Sequence, residues 1–497
     1  MPHRLRLLRD SLLGTLWFVP SLIVAASLAL AFGMVELSAR VDHEALAEWP
    51  RVFGAEPGSS RSILSAVASG MITVAGLTFS LTMVAVTQAS TQYTPRVLRS
   101  FTGDRANQVV LGTFVGIFAY CLVVLRTIRS DDEGLRFVPS LAVVLGIALA
   151  IAGIGVLIYF VHHIASTLQA SSLVARVARE TVAAIDALFP ETLGEEADDA
   201  AAEATRLAAA VTRWQPVPAR TTGYVQAVDE ARLLAVAGRS GRLVRMARGV
   251  GDFVVEGAPV AAIAADTGRA GLRRGAPGEP RLEAPSPADD APRGVRRDRD
   301  MDIAPDAPSL DALADRLAGA WRIGEVRTVE QDAAFGLRQL VDIARKALSP
   351  GINDATTAVS CIDYLGAVLV RVADRRIERP VRRAPDGGPV RVLARGPAFA
   401  GLLALACDEI RRDAGGDVRV LHRLVAVLGD VAAATRDRGR RALVVAQLAA
   451  IEEAVARTVP VPADRAHLSE AIAAARAGAG DLAVAAAVTV RGAQGAR

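Results

Sequence analysis

The chain has 497 residues, of which 52% are hydrophobic and 22% charged, with a formal net charge of +4 and a mean hydropathy of +0.31. So small a net charge gives no electrostatic footprint for nucleic acid, and the wide spacing of Cys121, Cys361 and Cys407 excludes a disulfide framework or a cysteine zinc site within one chain. Lys346 is the only lysine, so any reaction that needs a lysine has a single candidate.

The apolar residues are concentrated before Arg176. No charge falls between Asp10 and Glu36, between Arg61 and Arg96, or between Arg105 and Arg126. A fourth run, Val138 to Val161, follows Arg136. Each run is long enough for a helix to cross a hydrocarbon core of about 30 Å. The first is too long for a secretory signal and lacks a small-residue cleavage site. The second, placed at residues 63–86, has more length than a crossing needs. An even number of spans puts both termini on one side. The arginines of the loops are nearly balanced, but Arg4, Arg6 and Arg9 precede span one and the long carboxy-terminal region has no export signal. Both termini are therefore expected to be cytoplasmic.

Span two differs from the others in holding Ser65, Ser69, Gly70, Thr73, Gly76, Thr78, Ser80, Thr82 and Thr87. Ser69, Thr73, Gly76 and Ser80 succeed one another at helical spacing and share one face. Such a face serves either close helix packing or, with several protomers assembled, the wall of a water-filled path that Thr87 continues. No ionised residue lies within a span. His162 and His163, adjacent at the end of span four, read as an interfacial anchor rather than a metal pair.

After span four, apolar residues at helical spacing from Ile164 to Leu188 predict a stalk. Short apolar runs between glycines then predict strands. The run Gly251-Asp252-Phe253-Val254-Val255-Glu256-Gly257-Ala258-Pro259-Val260 resembles the strand-turn-strand of biotinyl and lipoyl carrier modules. Carrier function would need a lysine in that hairpin, and there is none, so the segment reads as a structural β module. Residues 266–308 have the Gly, Pro, Arg and Asp composition of a flexible linker.

From Leu310 the pattern is helical again. Asp332 to Leu348 forms an amphipathic helix, Ser349-Pro350-Gly351 stops it, and Asn353 or Asp354 can cap a second helix. This is either a plain helix-turn-helix corner or a polar pocket in which Arg338, Asp342, Lys346, Asn353, Asp354 and Thr357 converge on an ion or small anion. Beyond Arg371 the chain reads as an Arg, Pro and Gly loop to about Gly396, followed by helices to about Arg491. No phosphate-binding, metalloprotease or nucleophile-elbow motif occurs.

The strings FSLTMVAVTQASTQYTPRVLRSF (Phe79 to Phe101), LGTFVGIFAYCLVVLRTI (Leu111 to Ile128) and DAAFGLRQLVDIARKALSPGINDATTAVSCIDYLG (Asp332 to Gly366) resemble the bacterial predicted-membrane-protein family known as domain of unknown function 2254. The resemblance covers most of the chain outside the linker. It implies an integral inner-membrane protein with a cytoplasmic region and carries no catalytic residues over.

These readings predict an α-helical integral membrane protein with four transmembrane helices and a cytoplasmic α+β region containing a small β module and a helical bundle. Residues 1–165 are the transmembrane domain, 166–215 the stalk, 216–265 the β module, 266–308 the linker and 309–497 the helical domain. The expected function is an oligomeric, channel-like or transport-related protein with Ser69, Thr73, Gly76, Ser80 and Thr87 along the path. The alternative is a membrane-anchored sensor or scaffold binding through the helical domain. No enzyme activity, cofactor or metal is expected, and the partners are the lipid bilayer, further copies of the chain and an ion or small anion.

Overall fold

The computed structural model describes residues 17–40, 56–92, 105–129, 137–167, 169–189, 197–265, 309–377, 380–383 and 388–494. Arg4, Arg6 and Arg9, the arginines at 96 and 99, and the linker at 266–308 lie outside them. Two compact units form: Met1–Arg176 with Asp342–Thr357, and Val177–Val341 with Ala358–Arg497.

In the first unit, α1 (Phe18–Arg40), α2 (Pro57–Gln92), α3 (Arg105–Thr127) and α4 (Ser140–Thr167) pack through small residues. A Cβ added at Gly112 would lie 2.9 Å from the Pro20 Cα, and one at Gly116 would lie 2.5 Å from the Ser27 hydroxyl. The paired numbers rise together, so α1 and α3 run parallel. Leu64 and Ala68 of α2 cluster with Tyr120, Cys121 and Val124, whereas Ala75 clusters with Val110, Phe114 and Phe160. Those numbers run in opposite senses, so α2 is antiparallel to α3. Gly146 of α4 approaches Leu64 and Gly153 approaches Met71, which makes α4 parallel to α2. The Tyr120 hydroxyl donates to the Ala142 carbonyl at 2.8 Å and ties α3 to α4.

Helix α4 does not run on as a continuous stalk. A separate helix, α5 (Ala170–Leu188), begins after a break at which the Ser172 hydroxyl donates to the carbonyls of Ser166 and Gln169. Helix α6 (Ala197–Ala209) follows.

The second unit holds two small sheets. Strands β2 (Gly223–Val228), β3 (Val244–Met246) and β4 (Phe253–Val254) fall on the glycine-punctuated runs and β5 (Pro259–Ala264) on the end of the carrier-like run, whereas β1 (Trp214–Pro218), which begins within the stretch read as stalk, and α7 (Glu230–Ser240), between β2 and β3, are not announced by that pattern. Three more strands come from farther along: β6 (Trp321–Gly324), after α8 (Leu310–Ala318), then β7 (Val381–Arg383) and β8 (Val390–Leu393). The sheet orders are β1-β5-β3-β8-β7 and β4-β2-β6, with β3 and β8 parallel. The stretch read as a loop from Arg371 to Gly396 thus supplies two strands.

The remaining helices are α9 (Ala333–Ala347), α10 (Ala355–Ala373), α11 (Phe399–Asp413), α12 (Val418–Ala434), α13 (Arg438–Thr458) and α14 (Pro462–Gln494). Among the described residues five helices, not four, are long and apolar enough to cross a membrane: α1 to α4 and α10. The fifth, α10, has half of its apolar window buried inside the protein. Gly366 of α10 admits Val427 of α12, whose methyls would lie 2.8 Å from an added Cβ, and Asp363 pairs with Arg423.

Candidate functional site

Helix α2 buries Leu64, Ala68, Ala75, Thr78 and Ala85. Successive residues of a helix turn by about 100°, so these positions form one face. Ser69, Thr73, Gly76, Ser80 and Thr87 lie on the opposite face and are all exposed. Among the described residues nothing comes within 4 Å of a Cβ placed at Gly76. The Thr73 hydroxyl donates to the Ser69 carbonyl at 2.8 Å and that of Thr87 to the Val84 carbonyl at 2.9 Å. Threonines of this kind satisfy their own donors and leave an oxygen lone pair facing outward. Thr78 and Thr82, counted with the others in the sequence, turn toward the packed side and donate to the carbonyls of Val74 and Thr78. The structure therefore sorts the hydroxyls of this helix into a packing set and an outward set.

At the second candidate, Asn353 has φ 52°, the one non-glycine residue in the left-handed region among those described. Its amide and that of Ile352 donate to the Ser349 carbonyl at 2.9 Å, and the Asp354 amide donates to the Ala347 carbonyl at 2.8 Å. Asparagine tolerates this conformation better than a β-branched residue. Asp354 then caps α10, its carboxylate accepting from the Thr357 amide at 3.0 Å and the Thr357 hydroxyl at 2.5 Å. The hydroxyl and amide of Thr357 hold the Asp354 carboxyl below its ordinary value of 3.8. Arg338 pairs with Glu409 at 2.7 Å. Asp342 is buried and holds a partner of its own, while Lys346 is half-buried. Both Arg338 and Asp354 thus have their charge engaged by a neighbour.

Replacing Asp354 by alanine removes the cap and is expected to lower stability by about 1 kcal/mol. Because the folded carboxyl is the stronger acid, its contribution is present above the ordinary carboxylate value and is lost as pH falls through the lowered one. Denaturant titrations of wild type and Asp354→Ala should differ at pH 7 and converge well below 3.8.

A family model described as predicted membrane protein (DUF2254) matches residues 14–430. The chain belongs to this family. It is 33% identical over 468 residues to uncharacterized protein Mb1321c of Mycobacterium bovis, covering 94% of this chain and 81% of that one. The same figures hold for uncharacterized protein Rv1290c of Mycobacterium tuberculosis. No solved structure matches the chain.

Within the DUF2254 string that begins at Asp332, several residues have packing roles that spacing alone does not disclose. Buried Asp332 accepts from the Phe335 amide at 3.0 Å, so it caps α9, and it pairs with Arg327 at 2.6 Å. Gly251, at φ 87°, brings the β4 turn onto that pair: a Cβ there would lie 2.5 Å from the Asp332 carboxylate. Gly336 accommodates the buried side chain of Thr181 on α5. A glycine one helical turn into an amphipathic pattern was the only signal in the sequence for that contact.

Proposed function

We propose that this DUF2254 chain is a non-enzymatic, channel-like membrane protein in which copies assemble around a polar path lined by the outward stripe of α2. The observation that carries the reading is the exposure of Ser69, Thr73, Gly76, Ser80 and Thr87 on the side of α2 turned away from its own bundle. Hydroxyls and a glycine gain little from facing hydrocarbon, but they suit either water or a closely approaching helix.

Helices α1 to α4 are read as the crossings. Their alternating directions, up for α1 and α3 and down for α2 and α4, are those of consecutive spans. Helix α10 is left out because its Gly366 face and the Asp363–Arg423 pair are used within its own unit, and a charged pair placed in hydrocarbon is costly. The arginines before α1 favour cytoplasmic termini.

Purified protein reconstituted in planar bilayers is expected to conduct, and Thr73→Leu with Ser80→Leu to reduce unitary conductance while leaving the protein folded. Bilayers that stay silent across salt composition and voltage, with the protein shown to be inserted, reject the reading.

A further inference from the structure

We infer that the second unit carries a two-imidazole site for a borderline divalent transition ion, Zn²⁺ or Cu²⁺, between α12 and α14. The sequence holds six histidines. Two of them, His422 and His467, come from helices too far apart in the chain for spacing to pair them. In the fold their ring centroids are 5.2 Å apart and their planes 5° from parallel. The backbone beneath both rings is fixed, because Leu421 and Leu424 on α12 and Leu468 and Ile472 on α14 are buried. Two turns beyond His422, a Cβ placed at Gly429 would lie 3.7 Å from the Ala475 Cβ. The numbers of the two contacts rise together, so α12 and α14 run parallel here and hold His422 level with His467. Ligands carried on packed helices keep their separation better than ligands on loops.

The rings are otherwise unclaimed. Apart from stacking on each other, neither makes a hydrogen bond or ion pair with any described residue, so their nitrogens are left to solvent or a ligand. His467 is exposed and His422 half-buried, which gives an ion access from water. The local charge favours a cation. Asp464 and Glu470 lie three residues to either side of His467 and share its helical face. On α12, Arg419 is paired with Asp417 at 3.2 Å and Arg423 with Asp363. Imidazole nitrogen suits Zn²⁺ and Cu²⁺, whereas Mg²⁺ and Ca²⁺ want oxygen. With Zn–N bonds of about 2.0–2.1 Å, two nitrogens on one tetrahedral zinc stand about 3.4 Å apart. Rings with centroids 5.2 Å apart meet that span once the exposed His467 turns a nitrogen edge toward His422. Among the described residues no group of three His, Cys, Asp or Glu is placed to hold a metal, so water fills the remaining positions and the ion exchanges.

The test is calorimetric titration of zinc chloride into the full chain in nanodiscs, with any purification tag removed. A single ion per chain is expected to bind. His467→Ala and, separately, His422→Gln should each weaken binding severalfold, and the double variant should be little worse than either, because the ion needs both rings. Should His422→Gln lose the folded circular-dichroism signal, exposed His467→Gln takes its place. Cu²⁺ bound in place of zinc should show coupling to two nitrogens in its electron paramagnetic resonance spectrum, and to one in either single variant. Replacing His162 and His163 together by alanine should leave binding unchanged. Zinc binding indifferent to His467→Ala overturns the proposal, as does binding that disappears with His162 and His163. So does the lack of any zinc-dependent heat up to millimolar zinc, or a copper signal coupled to a single nitrogen in the wild type. Each would leave His422 and His467 as a packing contact between α12 and α14.

Discussion

Replacing Gly116 by leucine is expected to unseat α1 from α3 and abolish recovery of the folded protein in mild detergent. At Gly112 even a Cβ would stand 2.8 Å from the Ile23 Cδ1 and 2.9 Å from the Pro20 Cα, and at Gly116 2.5 Å from the Ser27 Oγ. The Ile23 tip can rotate away, but the Pro20 Cα is backbone and moves only with its helix. Glycines four residues apart share a helical face, and close approach of two helices is what they provide. Alanine at either position should cost about 1–3 kcal/mol through overpacking. Leucine is larger by a branched group that has nowhere to go. Thermal unfolding followed by circular dichroism should show Gly112→Ala and Gly116→Ala melting early and Gly116→Leu without a cooperative transition. Gly76→Ala is the control, because none of the described residues lies within 4 Å of a Cβ placed there. A Gly76→Leu protein that folds as wild type but no longer assembles would locate the contact between copies on α2.

Loss of Arg440 is the second large effect, and it falls in the other unit. This side chain is 6% exposed, and its Nη1 donates to the carbonyls of Val372, Ala373 and Arg375 at 3.2, 2.9 and 3.0 Å. The Val372 and Ala373 carbonyls belong to the last turn of α10, where a cation also meets a favourable dipole, and the Val372 and Arg375 carbonyls accept in addition from the amides of Arg375 and Ile377, both at 3.0 Å. Its guanidinium lies 5.0 Å from the centre of the Phe399 ring. Arg440→Met keeps the length and removes the donors, so the carbonyl of buried Ala373 loses its side-chain donor while those of Val372 and Arg375 keep one amide each, at a cost of about 1–3 kcal/mol. Denaturant midpoints should fall accordingly, Arg440→Lys should recover part of the loss, and exposed Arg438→Ala should change little. Equal midpoints for Arg440→Met and wild type would show that solvent reaches those carbonyls in the folded protein.

How much was legible in advance depended on the range of the interactions involved. Uncharged runs disclosed α1 to α4 because length and apolar composition are read residue by residue. The same criterion cannot separate a span from a core helix, and α10 meets it. Its Asp363 and Arg371 are solvated or paired within the protein, the latter with Asp186 at 2.8 Å. The outward stripe of α2 was visible as a period, but only the packing of Leu64, Ala68 and Ala75 shows which side it faces. Asn353, Asp354 and Thr357 were legible as turn and cap chemistry because the Asn353–Ser349 turn and the Asp354–Thr357 cap each close within four residues. Strands β7 and β8 were not, since Val381–Arg383 and Val390–Leu393 are too short to announce a strand. Their pairing is decided by segments far away in sequence.

That distance has a consequence for biosynthesis. Val244 of β3 pairs with Val392 of β8, so the larger sheet cannot close until the ribosome has made the chain past that point. Until then β3 presents an open edge, which is a template for wrong pairing, and non-local closure is slow. The order of synthesis completes α1 to α4 first, and β1 to β5 then wait for β8. A nascent chain arrested short of Val390 should therefore carry a protease-sensitive half-sheet, and one released beyond Leu393 and its flanking turn a resistant one.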